Sequence, residues 1–356
     1  MQEYYVRYEG EHMDTQTEQT KKQVITLDDK IKGKSYIIDF LRFIAAALVI
    51  FSHAYAITDG GDDWLRAVSK HEITLGELSV AFFLFVSGLY VTKSLLTKQS
   101  VRGYVGGRVK RIYPLFIVVV ALTAFVMGPV MTQLPVREYF TSKGTYAYLS
   151  YLVLIPNYSL PGVFADNPMS VVNGSLWSLI LEIICYGMLL VAYKLGLLDK
   201  KKMRILTILC AVCIAVIFAV KMPMLYQFVA YLRPLFCFVS GVCFYVFREE
   251  IRFTWQWMTV AGIGFVICIL AGCYSLAAIV FLPYFLCAGM EKKPVFLQKI
   301  SVVGRYSYAM YLLGFPIQQV VYATGLGTNV WTNAGYSLFF DVIGAVILYH
   351  TIEKRF

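Results

Sequence analysis

Long, mainly apolar runs recur along the chain from residue 36 to its last few residues. They lie at about 36–57, 75–96, 112–131, 173–193, 205–221, 225–247, 256–273, 275–290, 306–323 and 333–350. A helix of roughly 20 apolar residues crosses the hydrocarbon core of a bilayer. The pattern therefore predicts an all-α, polytopic membrane bundle of about ten transmembrane helices. The run from Tyr146 to Ile155 is too short to cross and is followed by Pro156 and Pro161, so it reads as a folded loop or a re-entrant segment.

Positive charge gives a second view of the same pattern, because cytoplasmic loops collect Lys and Arg. With the N-terminus inside, the inner segments carry 24 of the 32 Lys and Arg residues and the outer loops carry 5; Arg42, Lys93 and Arg233 sit within spans or at their ends. One missed span would invert every later loop and destroy this asymmetry. Both termini are expected in the cytoplasm.

Composition agrees. The chain is 58% hydrophobic and 15% charged, against roughly 45–50% and 25% for a soluble domain. Residues 1–34 are polar, without an apolar signal core, and are expected to form a cytoplasmic, largely disordered tail. Residues 35–356 then form one membrane domain, with the first span as an uncleaved signal anchor. All eight cysteines fall in or beside apolar runs, where thiols act as small hydrophobes, so disulfides are not expected. The C-x-x-C pair Cys210 and Cys213 reads as packing rather than a redox site. The net charge of +10 is dispersed over six short segments, which argues against nucleic acid and leaves anionic lipid or another anion at the inner surface as partners.

Ionisable groups inside a membrane are costly and mark function by default. Those within the spans are Asp39, Arg42, His53, Glu77, Glu182, Arg233 and Asp341. Arg42 and His53 are eleven residues apart; on a helix that spacing returns to within about 20° and rises about 16 Å. They share one helix face near opposite ends of the first span. Asp39, three residues before Arg42, is placed to pair with it. His53 also admits a plainer reading, a histidine bonded to neighbouring backbone or to a tyrosine.

The run from Ile38 to His53, with its Arg and His separated by ten residues, resembles the first-span motif of the acyltransferase-3 family of membrane acyltransferases. Three further segments agree in order: the aromatic run Val80 to Ser87-Gly88, the R-x-x-R of Arg108 and Arg111 before Pro114, and Asn173 to Glu182 with Trp177 and Ser178. Gly304 to Leu312, with Ser307 and Tyr308, and the closing Glu353-Lys-Arg-Phe also fit. Many relatives carry a His where this chain has Gly314, so any role of that side chain is absent here or supplied elsewhere.

The resemblance implies transfer of an acyl group, commonly acetyl from acetyl-CoA or another acyl-CoA, to a sugar hydroxyl of a cell-surface glycan or lipid-linked sugar, with no metal. On that reading His53 is the general base, since neutral imidazole accepts a hydroxyl proton near working pH. Arg42 joins it as a catalytic or donor-holding group. Arg108 and Arg111, three apart at the cytoplasmic boundary, are expected to hold the CoA phosphates; the plainer reading is anchoring of the third span. The separation of about 16 Å between Arg42 and His53 suits a pantetheine arm reaching from inside to outside. Glu182 is expected to orient His53 or Arg42, or else to form a structural ion pair. Trp177, Ser178, Asp39 and Tyr308 are the substrate-binding candidates, with Trp177 stacking on a sugar or sitting in the interfacial aromatic belt. Ser87 and Gly88 read as a close helix contact, and Glu77, Arg233 and Asp341 stay unassigned. The outer loop of about 132–172, with four prolines and several Tyr and Asn, is expected to shape the acceptor site. The competing classes are a transporter or flippase of a glycolipid or small metabolite, against which no second copy of these motifs appears, and a membrane sensor or scaffold without catalysis.

Overall fold

The computed structural model of the protein describes residues 24–220, 223–290 and 294–356. Among these residues the chain is helical, with only two isolated β-bridges, Thr26 with Arg252 and Thr132 with Val163. Ten long helices follow one another among the described residues: α1 (Tyr36–Ile57), α2 (Leu75–Lys98), α3 (Val101–Met131), α4 (Leu176–Lys194), α5 (Lys200–Val220), α6 (Pro223–Val246), α7 (Trp255–Leu270), α8 (Tyr274–Gly289), α9 (Ser307–Ala323) and α10 (Val330–Thr351). Five of them, α1, α2, α3, α4 and α10, are long and apolar enough among the described residues to cross a membrane. The rest of the stretch expected as a tail, residues 1–23, lies outside the described residues, as does the side chain of Cys210. The described cysteines are free.

Helix ends follow local chemistry. Thr74 and Glu77 form a capping box at the start of α2, each side chain accepting from the other's backbone N–H. Ser100 caps α3 by accepting from Gly103 N, so this helix begins eleven residues before the expected boundary at 112. The polar R-x-x-R turn interrupts hydropathy without interrupting the helix. A π-helical turn at Thr123–Met127 re-aims the far end of α3. There the buried Tyr139 hydroxyl donates to Ala124 O at 2.6 Å, and burial pushes its phenol up to about 12. In α9, Pro316 lacks the N–H that would bond Leu312 O; that carbonyl accepts from Asn173 Nδ2 at 3.0 Å instead. The stretch read as a folded loop or re-entrant segment is a helical turn at Lys143–Ala147 and a 3-10 turn at Tyr148–Val153.

Packing is inverted relative to a water-soluble bundle. Along α10, Asn333, Ser337, Asp341 and Ala345 are buried at four-residue spacing, while Phe339, Phe340, Ile343 and Ile347 face outward. A helix that hides its polar face and exposes its apolar one is stable only against lipid. The chain is a membrane protein.

α1 and α2 form the centre. α2 crosses α6 at Gly88 and Gly241, where a side chain on either would collide with the other helix's backbone carbonyl, Phe238 O or Phe85 O. Gly88 is thus the close contact expected for the Ser87-Gly88 pair. Two further ties lock the ends. Arg233 on α6 is buried and donates to Ser275 Oγ at 2.9 Å, Glu77 Oε2 at 3.1 Å and Glu72 O at 2.8 Å. At the opposite end a short helix, Leu27–Ile31, buries Leu27 and Ile31, ion-pairs Asp28 with Arg248 at 2.8 Å, and accepts from Lys93 Nζ at Ile31 O. Within the segment expected to be disordered, these residues are a docked element.

Candidate active site

The face of α1 that carries Ile38, Asp39, Arg42, Val49 and His53 follows the 3.6-residue period, and α2 presents Val80, Phe83, Leu84 and Ser87 towards it in the same way. The other flanks of both helices, with Leu41, Ile44, Leu48, Phe82 and Phe85, line an apolar groove of about 250 Å³ shared with α6 and α8. The two helices are therefore a wall, polar on one side and apolar on the other.

On the polar side lies a cavity of about 400 Å³ that begins at Gly33, Lys34 and Ser35 and takes in Arg42, Arg111, Glu182 and Tyr308. Glu182 Oε1 accepts from Ser87 Oγ at 2.6 Å and from the Tyr186 hydroxyl, and those two hydroxyls are 2.9 Å apart. The carboxylate is thereby fixed from α2 and from one turn further along α4. Arg42 lies within electrostatic reach of Arg111, Asp39, Glu182 and Glu353, yet among the described residues neither guanidinium is in an ion pair. Asp39 pairs with Lys34 at 3.2 Å rather than with Arg42. The sequence spacing suggested the reverse; Lys34 sits just before Ser35, the N-cap of α1, and can fold back over the first turn. The cavity accordingly holds two guanidinium groups that are in no ion pair among the described residues.

The R-x-x-R pair divides. Arg111 lines the cavity, whereas Arg108 lies over the rings of Tyr104 and Tyr186, at 5.8 and 5.9 Å, and reaches Ser94 Oγ at 3.4 Å. Two substrate-binding candidates act between helices: the Tyr308 hydroxyl donates to Ile112 O at 2.9 Å, and Ser178 shares a hydrogen bond with the Tyr311 hydroxyl. Both also line the cavity.

His53 and Trp177 are elsewhere. They line a second cavity of about 250 Å³ with Ser52, Thr74, Glu77 and Val49. The His53 ring meets Phe315 edge-on at 5.1 Å, and its buried Nδ1 has no hydrogen-bond partner among the described residues. Glu182 lines the first cavity and not the His53 cavity; of its three expected roles, orienting His53, orienting Arg42 or a structural ion pair, its place within electrostatic reach of Arg42 suits the second. Glu77 and Arg233 pair with each other. Asp341 is fully buried beside Gly314, both carboxylate oxygens without a partner among the described residues.

Sequence reasoning missed Ser87, Tyr186, Tyr311 and Glu353 as site residues. Tyr186 follows Glu182 by four and Tyr311 follows Tyr308 by three, so each shares a helix face with a flagged residue. Glu353 was part of a quoted motif without a role.

The sequence pattern of the acyltransferase domain family matches residues 35–350. An O-acetyl transferase of Shigella phage Sf6 is 25% identical over 346 residues, 91% of this chain and 96% of that protein. Nodulation protein 10 of Rhizobium leguminosarum bv. viciae is 30% identical over 157 residues, 42% of this chain and 41% of that protein. No solved structure matches.

Proposed function

Because the chain belongs to the acyltransferase domain family, we propose that it carries an acyl group, acetyl foremost, from cytoplasmic acyl-CoA to a sugar hydroxyl of the cell envelope. That it is an O-acyltransferase of the membrane, moving groups other than amino-acyl, follows from the family and the phage relative. The donor, its side and the acceptor are our reading. One observation carries it: a cavity holding unpaired guanidinium groups at one end of α1 and a histidine-lined cavity at the other.

The charge asymmetry of the loops supports ten crossings with both termini in the cytoplasm of a cell whose plasma membrane holds the enzyme. The Arg42 cavity then opens inward. Arg111 and Arg42 suit the phosphates of CoA, and Lys34 stands at the mouth. The His53 cavity faces outward, where Trp177 offers an aromatic face to a sugar ring of a polysaccharide or lipid-linked acceptor.

In the reaction the acceptor oxygen bonds to the thioester carbonyl carbon and the carbon–sulfur bond breaks. His53 takes the hydroxyl proton and returns it to the departing thiolate, so protons balance and CoA leaves as the thiol. Glu182, held by Ser87 and Tyr186, sets a carboxylate within electrostatic reach of Arg42. Against the transporter alternative stand the family match and the phage O-acetyl transferase relative.

The test is lipid and glycan mass spectrometry of cells with and without the gene, alongside His53→Ala. A single acetyl increment should vanish without the gene, and His53→Ala should lower transfer by about 10²-fold or more while the protein still inserts and binds acyl-CoA. Native turnover in His53→Ala removes the base assignment.

A further inference from the structure

The two cavities have two lining residues in common, Val80 on α2 and Tyr311 on α9. Val80 is 5% exposed, and its β-branched side chain has little rotamer freedom on a helix. Tyr311 is held more firmly still. Its hydroxyl donates to Ser175 O at 2.7 Å and is hydrogen-bonded with Ser178, and its ring meets Phe83 edge-on at 6.0 Å. Both tethers come from the start of α4, so the ring cannot swing aside without losing them. One stiff aliphatic side chain and one anchored ring therefore stand between the Arg42 cavity and the His53 cavity.

We infer that Val80 and Tyr311 form the constriction that selects the acyl group, admitting acetyl to His53 and holding back longer chains. The inference rests on the donor and acceptor placement proposed above. An acyl carbon delivered to His53 from the Arg42 side has to lie between these two side chains, and each added methylene needs room that neither yields. An apolar site of this kind separates chains differing by one methylene by about 10- to 200-fold.

The experiment uses the full-length purified protein in nanodiscs, with acetyl-CoA, butyryl-CoA and hexanoyl-CoA, and reads both binding by thermal shift and transfer to an acceptor glycolipid. The native protein should bind all three and transfer acetyl preferentially. Val80→Ala should raise the butyryl-to-acetyl ratio of kcat/KM by about tenfold or more, and Tyr311→Phe, which keeps the ring but frees it from Ser175 and Ser178, should move the ratio the same way. Val80→Phe should retain acetyl-CoA binding and lose acetyl transfer. Unchanged ratios in the first two variants, or native acetyl transfer by Val80→Phe, with donor binding intact, overturn the constriction alone. Failure of the native protein to bind any acyl-CoA overturns the functional reading, and the constriction with it.

Discussion

Glu182 is the residue whose surroundings say most about its task. Both hydroxyls that reach it converge on the one oxygen, Oε1, which fixes a negative charge beside Arg42 within a cavity otherwise suited to anions. A fixed carboxylate there opposes the binding of phosphates and, on the function proposed above, acts on the Arg42 guanidinium through its charge. Glu182→Gln should therefore bind acyl-CoA more tightly and turn over about 10²-fold more slowly, as expected when a positioning contact is lost. Titration of acyl-CoA and single-turnover transfer check the two signs separately; a parallel loss of both would make Glu182 a donor contact instead. Arg42, His53, Glu182 and Trp177 were legible in the sequence because charge or a large aromatic stands out in an apolar run. Ser87, Tyr186, Val80 and Tyr311 were not, since a hydroxyl or a valine on such a helix acquires meaning only from the helix opposite. The expected Asp39–Arg42 pair failed for a related reason: spacing along one helix says nothing about Lys34, which reaches back from outside it.

At the level of the helices, α2 depends on contact without side chains. Gly88 and Gly241 let two backbones touch, and replacing Gly241 by Val should cost about 1–3 kcal/mol through overpacking, with activity falling as α2 is pushed from α6. Thermal unfolding in detergent measures this, and an unshifted midpoint would mean that the crossing tolerates a larger residue. The Arg233–Glu77 pair at the end of the same interface is a second tie. Arg233→Met should cost about 1–3 kcal/mol, because the buried Glu72 carbonyl and the part-buried Glu77 lose their donor; near-native stability of this variant would show that the charges are dispensable. Helix positions were mostly readable from hydropathy, which reports burial in lipid. It misplaced the start of α3 because Arg108 to Arg111 are polar yet helical, and it overlooked Leu27–Ile31 because only two residues of that turn are anchors.

Across the whole molecule, the inverted pattern of α10 and the five long apolar helices make a membrane protein, and the loop charges give its proposed orientation. With the native cysteines replaced, Lys354→Cys should react with an impermeant maleimide only from the cytoplasm and Asp166→Cys only from outside. Labelling of Asp166→Cys from the cytoplasmic side would invert the orientation and with it the direction of transfer. The bundle architecture was legible in the sequence as blocks of apolar residues. The division of the site into two chambers was not, because it depends on how α1, α2, α4 and α9 meet.

That division has an electrical side. An enzyme open from end to end would leave a column of water through the bilayer and drain the proton and ion gradients on which the cell runs. On the topology proposed above, the valine and the tethered phenol ring that both cavities share stand where such a column would run, so chemistry would be handed across an energised membrane while its voltage is preserved.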